Sequence, residues 1–499
     1  RGIASERTAF FTALTLLGQP DARGPGPVGA DPEVTRQLQA AGARLDAAGV
    51  DRLSEPVEAR YDWIREVCEA AARQEEPPVS WTDRVDRVAT HRVGGFLVFF
   101  LLMGLMFQAI FSWAELPMGW IEAALGGIGA WAAERIPEGD FQSLVVDGVI
   151  AGVGGVLVFL PQIVFLFLFI GLLEDSGYMA RAAFVMDRVM SRVGLHGKSF
   201  IPLLSSFACA IPGILAARTI ENRRDRMITI LVAPLMSCSA RLPVYTVLIA
   251  GFIPAERLGG FVSLPALVLV SMYLLGLGAA LGMASVFKRT LFRGETPLFL
   301  MELPPYKLPA MRTVLLQTWQ RSSEFLKRAG TVILAINVLL WFAMRFPGQA
   351  GQPAGERLRN SVAGHAGRLL EPAIQPFGMD WKVGIGILGS FAAREVFVST
   401  MATVYNVDDA DEEKQSLSVR QQMQEERDPV TGKPRFTALS ALALLVFYVF
   451  AMQCVSTLAT VHRETEHWRW PLFQWIYMCV LAWGGATLVY QVGRALGLA

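Results

Sequence analysis

The chain has 499 residues, of which 53% are hydrophobic and only 18% are charged, and its formal net charge is +1. Soluble proteins carry about 25% charged residues, so this composition excludes a typical soluble globular protein and indicates a membrane protein. A net charge near zero also gives no electrostatic reason to expect nucleic acid as a partner.

Residues 1–82 are a polar, helix-forming segment ahead of the apolar part of the chain. Amphipathic helices are predicted over 5–18 and 31–76, joined by a turn rich in glycine and proline, and Pro77 and Pro78 end the segment. The chain begins inside a helical pattern, RGIASERTAFFTALTLLG, which predicts that a longer protein precedes it.

Four stretches in the remainder are apolar and long enough to cross a bilayer, which takes roughly 20 residues. They are 93–113, 258–287, 437–461 and 470–493. Because 114–143 is mainly acidic and 288–328 is mainly basic, the positive-inside rule places 114–143 in an outside loop and 288–328 in the cytosol. The arginines ahead of the first stretch place residues 1–82 in the cytosol too. A helix from Met311 to Arg328 is expected to lie on the membrane surface.

Four other apolar runs are interrupted. They are 144–173 at Pro161, 199–217 at Pro202 and Pro212, 227–253 at Pro234 and Pro243, and 383–407 at Arg394 and Glu395. Such runs are typical of discontinuous transporter helices, whose freed backbone groups are tolerated only where they line a cavity. SFACAIPGI (206–214) aligns with SFAAREVFV (390–398), and PLMSCSARLPV (234–244) aligns with VFAMQCVSTLA (449–459). This similarity predicts two inverted repeats with a site between them.

Sulfur groups are the first candidates for that site. Cys209, Cys238 and Cys454 lie in broken or proline-flanked segments, and Met236 and Met452 each stand two residues before a cysteine. Thiolates and thioethers are soft ligands that suit late first-row metals, whereas Mg²⁺ and Ca²⁺ prefer oxygen. The alternative is that these cysteines are small buried hydrophobic residues.

Carboxylates form the second group of candidates. Asp147 and Glu395 stand inside apolar runs, where an ionised group is costly unless it is paired, hydrated or bound to an ion. Glu174 and Asp175 close the run 144–173 and could instead cap the following helix at the membrane interface.

Several long, collinear motifs resemble those of the FeoB family of bacterial ferrous iron transporters. They are EARYDWI (58–64), DRVDRVATH (83–91), VVDGVIAGVGGVLVFLPQI (145–163), LLEDSGYMARAAFVMDRVM (172–190), SFIPLLSSFACAIPGILAARTIENRRDR (199–226), APLMSCSARLPVY (233–245) and SFAAREVFVST (390–400). The resemblance implies an all-α polytopic membrane protein with two Gate-type regions of broken or re-entrant helices, expected over 83–346 and 347–499. Residues 1–82 would then end the cytosolic helical domain that follows the family's GTPase domain.

The resemblance also implies a function, namely Fe²⁺ uptake across the bacterial inner membrane, with Fe²⁺ as the transported substrate. Cys209, Cys238, Glu174, Asp175 and Glu395 fall at positions of the family's Gate motifs. GTP and Mg²⁺ would act only through the GTPase domain, since no Walker motif occurs in this sequence. Besides the lipid bilayer, the expected partners are that domain, small cytosolic Feo proteins and a second copy of the chain.

One departure from the family pattern concerns Cys454. Many members carry Tyr-x-Pro-Cys there, whereas this chain has FYVFAMQC (447–454), which lacks the proline that would break the helix. Two other functions stay open at this point: a Gate-type carrier of nucleosides or other small solutes, and a membrane regulator that transports nothing.

Overall fold

The computed structural model describes residues 32–51, 54–71, 80–91, 93–258, 262–293, 303–347, 354–391, 394, 396–405, 412–427, 432, 434–452 and 454–497. The chain divides into two compact units, Arg1–Ser80 and Trp81–Ala499.

In the first unit, α1 spans Pro32–Ala47 and α2 spans Glu55–Ala71. The run predicted over 31–76 is therefore divided, because Gly49 takes a positive φ of 75° and ends α1. The amide of Val50 donates to the Leu45 carbonyl at 3.0 Å, as in a glycine-capped helix end. The helix predicted over 5–18 lies outside the described residues.

Within its described residues, the second unit consists of helices, one short hairpin and an isolated β-bridge between Arg427 and Pro434. Its α-helices are α3 Trp81–Ala89, α4 Gly94–Gln108, α5 Glu115–Arg135, α6 Asp140–Ser143, α7 Ala151–Leu157, α8 Leu160–Asp175, α9 Tyr178–Arg192, α10 Phe200–Ala208, α11 Ala210–Ala216, α12 Arg223–Val232, α13 Leu242–Phe252, α14 Leu264–Thr290, α15 Met311–Phe325, α16 Thr331–Arg345, α17 Ala354–Asn360, α18 Val362–Ile374, α19 Trp381–Ser390, α20 Val396–Val404, α21 Glu412–Glu425, α22 Ala438–Phe450, α23 Val455–Thr465 and α24 Arg469–Ala495. Strands β1 (Arg257–Leu258) and β2 (Val262–Ser263) pair antiparallel. Three π-helical turns lie at Ala109–Trp113, Leu144–Ile150 and Leu326–Gly330, and 3₁₀ turns at Gly197–Ser199, Ala217–Thr219, Ala233–Leu235, Ser239–Arg241 and Gln375–Phe377.

The predicted all-α membrane architecture is confirmed. Among the described residues, six helical stretches are long and apolar enough to cross a membrane: Gly94–Arg135, Asp140–Asp175, Arg223–Phe252, Leu264–Thr290, Ala438–Thr465 and Arg469–Ala495. A shorter apolar helix is Thr331–Arg345.

Two details of the sequence prediction were wrong. Most of the expected loop 114–143 is α5, because the only proline within α5, Pro117, lies in the first helical turn, where no amide donor is needed. The span expected from residue 258 begins at Leu264, after the hairpin. The interruption at Pro161 coincides with a division between two helices, since α7 ends at Leu157 and α8 begins at Leu160, although Phe159 between them keeps helical dihedral angles.

The expected interruption at Pro202 is absent, since this proline stands in the first turn of α10, but other interruptions are opened to extended backbone or end a helix. Cys209 separates α10 from α11 with φ −156° and ψ 137°. Extended backbone at Met236 and Cys238 separates α12 from α13. In the second half of the chain, α19 ends at Ser390 and α20 begins at Val396, and Cys454 is extended between α22 and α23. Paired positions of the predicted repeat thus coincide with helix breaks.

The broken helices pack closely around these openings. A Cβ added at Gly213 would stand 1.9 Å from Ser206 Oγ and 2.6 Å from the Pro202 carbonyl, so only glycine lets α11 fold against α10. In the second half, a Cβ at Gly389 would stand 2.6 Å from Thr400 Oγ1, which brings α19 equally close to α20. Small residues therefore set the separation of both pairs of half-helices.

Candidate functional site

A cavity lies among the helix breaks, and its space amounts to about 810 Å³ when the part open to solvent is included. We call it the thiol cavity because Cys209, Cys238 and Cys454 all line it. The apolar part of its wall comes mainly from α7, α8, α15 and α16, and the remaining polar lining groups are Gln162, Ser239, Arg394, Ser456 and Thr457. Three cysteines that are separated by up to 245 positions in sequence therefore share one wall.

The break at Cys209 follows from a proline. Pro212 has no amide hydrogen, so the carbonyl of Ala208 cannot receive the usual helical bond from the residue four positions later. That carbonyl accepts instead from Ser239 Oγ at 3.1 Å. Ser239 follows Cys238 directly, so this hydrogen bond links the first two cysteine segments.

The break at Cys238 has the same origin. Pro234 leaves the Ile230 carbonyl without its helical donor. The buried amide of Gln474 in α24 donates to the Ile230 carbonyl at 3.0 Å and to the Leu231 carbonyl at 2.8 Å. The helix can end deep in the protein because a distant polar side chain satisfies its carbonyls.

The break at Cys454 occurs although FYVFAMQC has no proline. Two buried arginines stabilise it. Arg394 donates to the Ala451 carbonyl at 2.7 Å and also to the Met452 carbonyl, and Arg241 donates to Ala451 at 3.3 Å. Arg241 further bonds the Pro234 carbonyl at 3.2 Å, so it joins the second and third cysteine segments. Charged donors compensate for the carbonyls that leave the helix.

The other predicted ligands lie elsewhere. Met236 and Met452 are buried in the hydrophobic core and do not line the cavity. Asp147 is exposed and accepts from Ser143 Oγ at 2.7 Å. Glu174 lies 3.5 Å from Arg321, and Asp175 lies 2.8 Å from Lys307. Glu395 lies outside the described residues.

The geometry is not that of a preformed metal centre. Within the part of the chain that the structure describes, no group of three or more His, Cys, Asp or Glu side chains is arranged to hold a metal ion. Cys454 Sγ is 3.2 Å from Thr457 Oγ1, so its sulfur interacts with a neighbouring hydroxyl. Arg394 carries the only charge among the lining residues that the structure describes, and it would compensate for any thiolate formed there.

Sequence reasoning missed six polar residues of this site. Ser239, Ser456, Thr457 and Gln162 line the cavity, and Arg241 and Gln474 hold its walls. A signal was present for Gln474, since it is a polar residue in an otherwise apolar run. For Ser456 and Thr457 the only signal was their position directly after Cys454.

Comparison with protein families gives two matches. The model described as Gate, nucleoside recognition, matches residues 156–252 and 326–468, and the model described as Ferrous iron transport protein B C terminus matches 269–321. The second Gate match begins before the boundary predicted at residue 347, and that boundary stays a prediction.

Curated relatives point to the same family. The chain is 46% identical over 420 residues to the Fe(2+) transporter FeoB of Leptospira biflexa, covering 84% of this chain and 60% of the relative. It is 42% identical over 443 residues to a Fe(2+) transport protein A/Fe(2+) transporter FeoB fusion protein of Porphyromonas gingivalis, covering 83% and 51%. The FeoB of Staphylococcus aureus strain MSSA476 is 37% identical over 421 residues, covering 83% and 59%. The chain thus spans between half and three fifths of these relatives, and no solved structure matches it.

Proposed function

The chain belongs to the FeoB family, and on that premise we propose that it carries Fe²⁺ across the bacterial inner membrane into the cytoplasm. The observation that supports this most is the shared cavity wall of Cys209, Cys238 and Cys454. Sulfur ligands favour late first-row metal ions over Mg²⁺ and Ca²⁺, which outnumber them in most environments.

The ion would be held loosely. Because the thiols do not form one coordination shell, we propose that Fe²⁺ exchanges water for one or two thiolates at a time. Met236 and Met452 would contact the ion only after the break segments move, and Glu395 would balance its charge.

Thiols must lose a proton before they bind a metal, so Fe²⁺ affinity should fall as the pH falls. Asp147, Glu174 and Asp175 lie outside the cavity, and we propose that they act on the ion before or after it reaches the thiols.

We further propose that residues 1–82 are cytosolic and couple the membrane region to a GTP-binding domain with its Mg²⁺. The fusion of a relative to Fe(2+) transport protein A supports small Feo proteins as partners. We also propose that the chain associates with a second copy of itself, as the sequence analysis expects.

The test is Fe²⁺ influx into liposomes that contain the full-length protein encoded by the gene, with a fluorescent metal sensor inside. We expect Cys238→Ser to lower the influx at least tenfold. Cys479→Ser is the matched control because Cys479 lies in the unbroken α24 and does not line the cavity, and its influx should stay within twofold of the parent. Equal influx in both variants would contradict a role for the cavity thiols.

The two other functions predict different results in the same liposomes. The polar groups Gln162, Ser239 and Thr457 on a largely apolar wall would also suit a nucleoside. Influx of labelled uridine without Fe²⁺ influx would support that carrier. Absence of any flux with GTP present would support a membrane regulator.

A further inference from the structure

A second pocket of about 440 Å³ adjoins the thiol cavity. We call it the inner pocket. Ile211, Phe325 and Ser456 line both spaces, so these three side chains form the partition between them. Beyond the partition, the inner pocket is lined by the ionisable groups Glu324, Glu464 and Arg463.

The partition has one polar group. Ser456 is 2% exposed, and its hydroxyl has no hydrogen-bond partner among the described residues. A buried hydroxyl without a partner is unfavourable unless a ligand or water binds it. Because Ser456 lines both spaces, its hydroxyl oxygen is placed to bind an ion that passes between them, or to form a hydrogen bond with a water molecule of that ion.

The partition also includes a residue next to a π-helical turn. Phe325 is the last residue of α15, and the π-helical turn Leu326–Gly330 follows it directly. Single π turns inside long helices are frequent at functional sites because they change the direction of a side chain without unfolding the helix. The apolar ring of Phe325 therefore stands where a small change in helical register would open or close the path.

The acid beyond the partition is already paired with a cation from the protein. Arg218 donates to both carboxylate oxygens of Glu464, with Nε at 2.8 Å from Oε2. The Glu464 side chain is 7% exposed, whereas Arg218 is 60% exposed. The carboxylate is therefore fixed in the pocket, and the guanidinium can leave to solvent.

We propose that Glu464, with Glu324 and Ser456, forms a second cation site, which Arg218 occupies at rest and the transported divalent ion occupies during exit. Because a buried carboxylate needs a counter-charge, the ion can leave the thiols only as Arg218 withdraws, and Arg218 returns when the ion departs. Carboxylate and hydroxyl oxygens bind Fe²⁺ less tightly than thiolates do, which favours release. Four arginines at 218–226 indicate the cytosolic side by the positive-inside rule. The inference rests on the proposed function, since it extends the path of Fe²⁺ from the thiol cavity toward the cytoplasm.

The test separates the two sites by ligand type. Mn²⁺ prefers oxygen ligands, so its binding to the full-length protein is titrated by electron paramagnetic resonance in a background with Cys209, Cys238 and Cys454 changed to serine. We expect Arg218→Gln to tighten Mn²⁺ binding at least threefold and Glu464→Gln to abolish it. Mn²⁺ binding that neither substitution changes would overturn the second site.

Fe²⁺ influx with the native cysteines gives the second measurement. Glu464→Gln should lower influx at least tenfold while the thiolate-to-metal charge-transfer band of bound Co²⁺ stays. Glu221→Gln is the matched control, because Glu221 is paired with Lys198 at 2.8 Å but is 87% exposed and lies outside the pocket. Equal influx in the two glutamine variants would overturn the inference alone. Absence of Fe²⁺ influx in the parent would overturn the proposed function, and the Mn²⁺ titration would still decide on the site.

Discussion

The broken and the unbroken helices of this protein differ in where they lie. The stretches Arg223–Phe252 and Ala438–Thr465, which contain Cys238 and Cys454, have 78% and 65% of their most apolar window buried. The unbroken α14 and α24 have only 17% and 22% buried. A helix facing lipid must satisfy its own backbone, whereas an inner helix can open where other side chains supply donors. The comparison shows that the cavity depends on those donors.

The largest expected effect is at Arg241, which supports two of the three cysteine segments. Arg241→Met removes charged hydrogen bonds to the carbonyls of Pro234 and Ala451, and we expect it to lower the free energy of unfolding by about 3 kcal/mol. Arg289→Met, at the exposed end of the unbroken α14, should change it by less than about 0.5 kcal/mol. Unfolding in mixed detergent micelles measures both. A neutral or stabilising Arg241→Met would show that the break holds without this donor.

The second prediction compares glycines in the two kinds of helix. At Gly213, between α10 and α11, an alanine would overlap Ser206 and the Pro202 carbonyl, which should cost about 2 kcal/mol. At Gly278 in α14 nothing lies within 4 Å of the added methyl, so alanine should stabilise the protein by about 0.5 kcal/mol. The same unfolding measurement applies, and equal effects would contradict the close packing of the half-helices.

A smaller effect is expected at Gln474. Gln474→Leu removes the side-chain donor to the Ile230 carbonyl, while the Leu231 carbonyl keeps the hydrogen bond from Tyr477 Oη at 2.6 Å. The expected cost is about 1 kcal/mol for a polar contact within a membrane protein. Gln491→Leu makes the same change at an exposed position of α24, where water can replace the lost bond to the Pro376 carbonyl. We expect accelerated proteolysis near Cys238 only in the first variant. Identical cleavage of the two variants would show that Gln474 does not stabilise the break near Cys238.

The smallest effect is expected in a turn outside the membrane-spanning stretches. His196 Nδ1 accepts from the Lys198 amide at 3.1 Å, and partial burial lowers the pKa of His196, so the neutral ring is the folded form. Stability from this group is present above the usual histidine pKa of about 6.5 and falls as the pH drops toward the lowered value. The melting temperature should therefore fall slightly more between pH 7 and 5 than in His196→Asn, which keeps an acceptor but does not titrate. Parallel curves of melting temperature against pH for the two proteins would contradict this role of His196.

The sequence predicted the fold class and most breaks because both depend on local chemistry. Pro212 and Pro234 lack an amide donor wherever they stand, and an apolar run of about twenty residues favours a membrane span in any context. The break at Cys454 does not follow from FYVFAMQC alone because its cause is the hydrogen bonds that the Ala451 carbonyl accepts from Arg394 and Arg241, which lie 57 and 210 positions from Ala451. The carboxylates were predicted as site residues because ionised groups are rare in apolar runs. That rarity does not indicate the direction in which a side chain points.

The sequence by itself determined that this is a helical membrane protein in which three cysteines stand beside interrupted helices, since hydrophobicity and the missing proline donor act locally. Only the tertiary structure decided that three cysteines share one cavity, that the methionines beside two of them are buried in the core, and that Arg218 pairs with Glu464 across 246 positions. The physical reason is that a freed carbonyl or a buried charge requires a partner, but the chain can supply that partner from any helix that packs against it.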